Sequence, residues 1–422
     1  MEHQAYPPDN DNALLAKAQA LQCTGDYAQA FAIFRQLVTR YASNPRLLHL
    51  TGSAALQAGH YAQATELLKS SVELDPNQAD TLSHLGVAYG NLGDFSAAAD
   101  AYHAAIQLNP EYAEAYSNLS MTLLDGADQP EEALAAAEKA LTLKPNYADA
   151  YVNRGNALQA LRRFDAALES YDRAIELNPN SVIVHNNRGN ALRKLNRLGD
   201  ALSSYQDAIR LKPDYAQAYC NMGVTLADLG QETDSRHFFQ RALLLAPASA
   251  DAHFNLAGLS CKAGNYEQAL ACLDRSIALN PDFAAAYWNK ALLKLLMGDF
   301  REGFVLYEWG WKSDLRLGKR NFNVPLWLGK TPLAGKRLLI HHEQGIGDCI
   351  HYVRYVQLAV EMGAEVIMET LAPLVPLLKT LKPACELVVM GDPLPRFDCY
   401  IPLMSLPLAF GTTLDHMPPS AP

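Results

Sequence analysis

Pro76, Pro110, Pro145, Pro179, Pro213, Pro247 and Pro281 stand 34 residues apart, with a single interval of 35 between Pro110 and Pro145. A period of that length constrains the fold more than any composition, because each period is one supersecondary unit too small to bury its own apolar face. The stretches "ADTLSHLGVAYGNLGDFSAAADAYHAAIQLNPEY" from Ala79 and "ADAYVNRGNALQALRRFDAALESYDRAIELNPNS" from Ala148 are the clearest copies. Each holds two runs of apolar and small residues at helical spacing, a short polar turn between them and a proline after the second. Proline lacks the amide that would continue a helix and disfavours helical geometry in the residue before it. Small residues recur where two helices meet: Gly86, Gly155, Gly189 and Gly223 on the first helix, and Ala98, Ala167, Ala201 and Ala269 on the second. The extra residue of the fourth copy falls in "DGADQPEEAL".

These features resemble the tetratricopeptide repeat. About nine copies are expected over residues 11–311, and the resemblance implies a mainly α superhelix with a concave groove. Asn118, Asn153, Asn187, Asn221, Asn255 and Asn289 recur once per copy on the first helix, in the slot that lines the groove in that family, with Asn156, Asn186 and Asn190 beside them. A carboxamide both donates and accepts, so a ladder of them can bond the backbone of an extended peptide without reading its side chains. The same ladder can instead bridge neighbouring copies. Arg154, Arg188 and Lys290 replace Leu85, Leu119 and Leu256 in an adjacent column, where long stems usually carry the charge out to water. A protein or peptide partner follows from this reading.

Charge and composition narrow the remaining functions. Lys and Arg number 35 against 45 Asp and Glu, a net charge of −10, which argues against a general nucleic-acid binder. No run of eighteen apolar residues occurs, and "MEHQAYPPDNDN" lacks the apolar core of a secretory leader, so a cytoplasmic protein without a membrane span is expected. Seven scattered cysteines form neither a disulfide framework nor a zinc motif.

After Phe300 the period fades. A linker at 312–336 leads to "KRLLIHH", "AEVIMET", "CELVVM" and "FDCYIPL", apolar strands separated by helical patterns from about Asp348 to Met362 and Leu371 to Leu381. This alternation implies a parallel sheet, a partial Rossmann-like α/β domain over 337–422. It places "HHEQGIGD", His341 to Asp348, at the carboxyl end of the first strand, where open α/β sheets bind ligands. Gly345 and Gly347 there let a backbone come close, although Ile350 stands where a dinucleotide fingerprint has its third glycine. Glu369 lies near the distance expected of a ribose-binding acid. His341, His342 and His351 do not make a metal site, since adjacent strand residues face opposite ways.

The runs "YEWGW", "WLGKTPLAGKRLLIHHEQGIGDCIHYVRYVQLAVEMGAEVIMET" and "FDCYIPLMSLP" look like bacterial tetratricopeptide proteins fused to a heptosyltransferase-like glycosyltransferase domain. That resemblance implies a general base at Asp348 after Gly347, within an anion or substrate loop that includes Glu343, Gln344, Gly345, Gly347 and Arg354. Arg354 stands where those enzymes usually have proline, so their acceptor does not carry over. Asp348 is read equally as an ordinary helix N-cap. The overall plan also resembles the protein O-linked N-acetylglucosamine transferases. The resembled enzymes hold their nucleotide sugar mainly with a second domain of about 100 residues or more, and the chain is expected to lack it. The reading is thus a peptide-binding scaffold joined to part of a transferase-like domain, with no cofactor of its own. The alternative is an active glycosyltransferase using a nucleotide-sugar donor once the remaining domain is supplied.

Overall fold

The computed structural model describes residues 9–312, 316, 320–343, 345–381 and 385–419. Two compact units divide between Thr225 and Leu226. The first is built of helix pairs: Asp9–Cys23 with Tyr27–Val38, Pro45–Gln57 with Tyr61–Leu74, Ala79–Asn91 with Phe95–Leu108, Ala113–Ala127 with Pro130–Leu143, Ala148–Ala160 with Phe164–Leu177, and Val182–Lys194 with Leu198–Leu211. The helix Ala216–Asp228 contains the division. In the second unit, Glu232–Leu245 is followed by the pairs Ala250–Lys262 with Tyr266–Leu279 and Ala284–Leu296 with Phe300–Tyr307.

The repeat is physical at three places. Asp75, Asn109, Lys144, Asn178 and Lys212 each precede a proline, and each leaves helical geometry with φ between −143° and −133°. The steric demand of the following ring ends the second helix there. Small residues on the first helices face large ones on the second. A Cβ added to Gly86, Gly155 or Gly189 would sit 2.5–2.7 Å from the ring of Tyr102, Tyr171 or Tyr205, all three fully buried. Ala291 packs with Tyr307 in the last pair.

The turn inside each pair passes through left-handed backbone. Gly25, Gly59, Gly93, Gly230, Gly264 and Gly298 occupy it in six pairs, and Asp128, Arg162 and Asn196 in the other three. The fourth pair absorbs its extra residue before this turn: its first helix has 15 residues where the neighbouring Ala148–Ala160 helix has 13. Arg162, at φ 59°, is the costliest occupant, since Asn and Asp tolerate this region better. Arg162→Gly is therefore expected to stabilise the first unit by roughly 0.5–1 kcal/mol, and Asn196→Gly by less. Urea denaturation of the two variants checks the order.

The C-terminal part of the second unit carries a small parallel sheet. Its strands are β1 (Arg337–His341), β2 (Glu365–Thr370), β3 (Glu386–Val389) and β4 (Cys399–Pro402), in the order β3-β2-β1-β4. One face buries Leu338, Ile340, Val366, Met368 and Ile401 under Trp327, Val356, Ala359 and Leu406. The other buries Leu339, Ile367 and Val388 against Phe322, Phe397 and Tyr400. Burial on both faces is why these strands read as continuous apolar runs. The described part of the linker belongs to this core: Trp327 N donates to Tyr400 O at 2.8 Å, and Tyr400 N to Pro325 O at 3.2 Å. The helix expected from Asp348 to Met362 is two short ones, Ile346–Tyr352 and Tyr355–Glu361. The one expected around Leu371 to Leu381 shrinks to Val375–Leu378 behind a 3-10 turn, Ala372–Leu374.

Candidate functional site

The asparagine column faces its neighbours. Asn153, buried, donates through Nδ2 to Ser117 O at 2.8 Å and Ser117 Oγ at 3.0 Å. Asn187 Nδ2 donates to Asn156 Oδ1 at 3.0 Å, and Asn221 Nδ2 to Asn186 Oδ1 at 2.8 Å. Asn156 and Asn190 accept from the hydroxyls of Tyr171 and Tyr205 at 2.8 and 2.9 Å, so the residues that fill the pair interior also orient the amides. Asn118, Asn156, Asn187 and Asn190 remain half-buried in the first unit, as do Asn255 and Asn289 in the second.

The neighbouring cationic column is also tied down. Arg188 binds Asp172 at 2.6 Å and Ser204 at 2.7 Å, while Arg154 reaches Ser170 at 2.7 Å and Glu138 at 3.4 Å. Lys290 lies 2.9 Å from Asp274 and 2.7 Å from Glu302. Each cation joins the preceding pair's second helix to its own.

One occupant of the asparagine column escapes a search for asparagine alone. His84 holds that slot one period before Asn118, and its ring stacks on His49 at 5.2 Å and 24°. His49 Nδ1 is 2.8 Å from Thr81 Oγ1. Burial pushes the His49 imidazole down to about 4 and lowers His84 as well, so both are neutral near neutral pH. The 34-residue period was signal enough to find it.

In the second unit the eighth and ninth pairs enclose a hollow of about 340 Å³, lined by Gly258, Cys261, Leu273, Asn289, Leu292 and Leu296 among others. Gly258 stands in the slot that Asn156 and Asn190 fill elsewhere, and a Cβ there would meet nothing within 4 Å. Leu296 is 67% exposed and Leu292 44%.

The loop after β1 is more closed than its glycines suggest. Glu343 is buried, with Oε2 accepting from Arg316 at 2.6 and 3.2 Å and Oε1 accepting from Met404 N at 3.0 Å. Burial pushes its carboxyl above the usual range against the pull of the Arg316 guanidinium. Gln344 lies outside the described residues. Asp348 Oδ2 accepts from Gly345 N at 3.2 Å: Gly345 and not Asp348 is the N-cap of the seven-residue helix, and the carboxylate at its third position reaches back to the cap residue's amide. Gly345 and Gly347 have ordinary exposed surroundings, and nothing lies within 4 Å of a Cβ on Gly347. Arg354 donates to His351 O at 2.9 Å and Pro418 O at 3.2 Å, tying the turn between the two short helices.

At the neighbouring strand end, both Glu369 oxygens accept from Arg320 at 2.6 Å. His341 packs between Phe322 and Tyr400, and burial pushes its imidazole down to about 4. Among the described residues, no group of three or more His, Cys, Asp or Glu is placed to hold a metal ion, and no helix is long and apolar enough to cross a membrane.

Models of the tetratricopeptide repeat match residues 113–147, 152–216 and 226–296, and the model of the coatomer epsilon subunit matches residues 4–118. No curated protein matches the chain. A solved APC/C hetero-tetramer, Cut9–Hcn1, is 19% identical over 65% of this chain and 54% of that one, with a TM-score of 0.51, a likeness of fold. A MamA structure is 25% identical over 38% of this chain and 94% of that one, with a TM-score of 0.35. YrrB, described as a TPR protein with an unusual peptide-binding site, is 29% identical over 46% of this chain and 98% of that one, also with a TM-score of 0.35. The helix pairs, their left-handed turns and the three matching repeat models together make the repeats over residues 113–147, 152–216 and 226–296 tetratricopeptide repeats.

Proposed function

We propose that the chain is a protein-binding scaffold whose first-helix face takes an extended peptide. The observation that carries this reading is the hollow beside Asn289. It offers apolar walls, two exposed leucines and no charged lining residue, with an amide at its edge. An apolar side chain would fill it while Asn289 bonds the peptide backbone, a division of labour usual where extended peptides are recognised. In the first unit, Asn118, Asn153, Asn156, Asn187, Asn190 and Asn221 would contribute whatever amide capacity their mutual bonds leave open, as Asn255 and Asn289 would in the second.

The test is a random peptide library displayed on phage and panned on the whole chain. Enriched sequences should share one aliphatic or aromatic position, and Gly258→Leu, which fills the hollow, should weaken the best of them by roughly tenfold or more, about 1.4 kcal/mol. Leu296→Glu should act in the same direction. Peptides without an apolar position, bound equally by both variants, would remove the hollow from the function.

For the C-terminal part we keep residues 11–311, 312–336 and 337–422 as repeat, linker and α/β segments. We read the last as similar to the heptosyltransferase-like transferases, in a plan like that of the protein O-linked N-acetylglucosamine transferases. The parallel order of the sheet and the glycine-containing turn after β1 support this. An active transferase with Asp348 as base and a nucleotide sugar as donor is the weaker alternative. It would have to draw Asp348 away from the Gly345 amide and open Glu343 from beneath Arg316.

A further inference from the structure

We propose that Arg316 is a latch through which the end of the last repeat pair fixes the loop that follows β1. The Arg316 side chain is fully buried, and the groups around it come from two sources. From the repeat end, Tyr307 and Trp311 place their rings 4.9 and 3.8 Å from the guanidinium carbon, and Glu308 accepts from Nη1 at 2.8 Å. Gly310 O holds the Arg316 backbone amide at 3.2 Å. From the α/β segment, Glu343 takes two of its N–H groups and Ser405 Oγ a third at 3.2 Å. Ser405 also donates to Glu308 at 2.7 Å, closing the ring of contacts.

The arrangement specifies shape more than it stabilises. Desolvating the ions offsets much of their attraction, whereas removing one partner leaves an uncompensated buried charge. Here two carboxylates share one guanidinium, so without Arg316 the buried Glu343 must take a proton or leave its place. If it leaves, its Oε1 bond to Met404 N goes with it; if it is protonated, that bond is to a neutral acceptor and weaker. Two residues further on, Gly345 begins the short helix Ile346–Tyr352, and so Glu343 sets the path by which the chain enters it. A change at Tyr307, Glu308 or Trp311 would thus be felt in the loop.

The experiment is amide hydrogen exchange on the whole chain carrying Arg316→Met, Glu343→Gln, or Arg316→Met with Glu343→Leu. With Arg316→Met, exchange over residues 345–352 is expected to quicken roughly tenfold or more while residues 250–279 keep their protection. The double variant, which buries no lone charge, should recover thermal stability yet leave residues 345–352 fast. Glu343→Gln keeps the shape and weakens the bond, so it should show the same localised change to a smaller degree, even if Arg316→Met does not fold. Unchanged exchange over 345–352 in the variants that fold would overturn the proposal. So would a double variant that restores loop protection along with stability, since the pair would then be a plain stabilising contact.

Discussion

Tyr171→Ala is expected to destabilise the first unit by about 3–5 kcal/mol, the range for truncating a fully buried aromatic. The ring fills the space that Gly155 leaves on the facing helix, where an added Cβ would come within 2.5 Å of it. Its hydroxyl donates to Asn156 at 2.8 Å, and burial raises its pKa, so it stays a donor throughout the ordinary pH range. Two graded variants separate these contributions. Tyr171→Phe keeps the packing and should cost about 1 kcal/mol for the lost hydrogen bond. Gly155→Ala keeps the tyrosine and should cost about 1–3 kcal/mol, because the new methyl has no room. Urea denaturation followed by circular dichroism gives the totals. Hydrogen exchange then places the loss, since a repeat array opens locally around the weakened pair. A change below about 1 kcal/mol for Tyr171→Ala would mean that the glycine and the ring are not complementary parts of one contact.

Replacing Asn153, Asn187 and Asn221 together by Ala is expected to cost about 3 kcal/mol, near 1 for each amide removed. From the sequence, a ladder of peptide-binding amides would be removable with helicity nearly intact. In the structure each of the three donates to a residue of the preceding pair, and loss of Asn187 and Asn221 together strands the buried Asn186 amide, which donates to the first and accepts from the second. The substitution should therefore lower the melting temperature as well as any peptide affinity. Thermal melts of the triple variant beside single variants measure the first effect, and calorimetry with a selected peptide measures the second. An unchanged melting temperature with lost affinity would show that these amides serve the partner and not the neighbouring repeat.

Much of the architecture was present in the sequence because its cause is local. The proline period sets where second helices end, and glycine or its substitutes, 34 residues apart except for 35 between Gly93 and Asp128, set where the pairs turn. Small residues on both helices marked where the two meet, and the structure sets Gly86, Gly155 and Gly189 there against the rings of Tyr102, Tyr171 and Tyr205. The four apolar runs after Phe300 became β1 to β4 because a strand buried on both faces shows no alternation to obscure it. Asp348 was read as an N-cap from its place after the strand; the helix instead begins at Ile346 with Gly345 as its cap, and Asp348 three residues on bonds that cap's amide.

Only the tertiary structure decided which partner each polar side chain takes. An asparagine at helical spacing has the same sequence signature whether its amide meets a peptide or the next repeat. Arg316 lies 27 residues from Glu343 and 89 from Ser405, and no period or motif links them. Glu343, two residues from exposed Gly345, looked like part of an open loop, yet it is sealed by Arg316 of the linker and by the turn after β4. A periodic pattern fixes where a residue sits on its own element; what it meets depends on how distant elements pack, which this sequence does not encode locally.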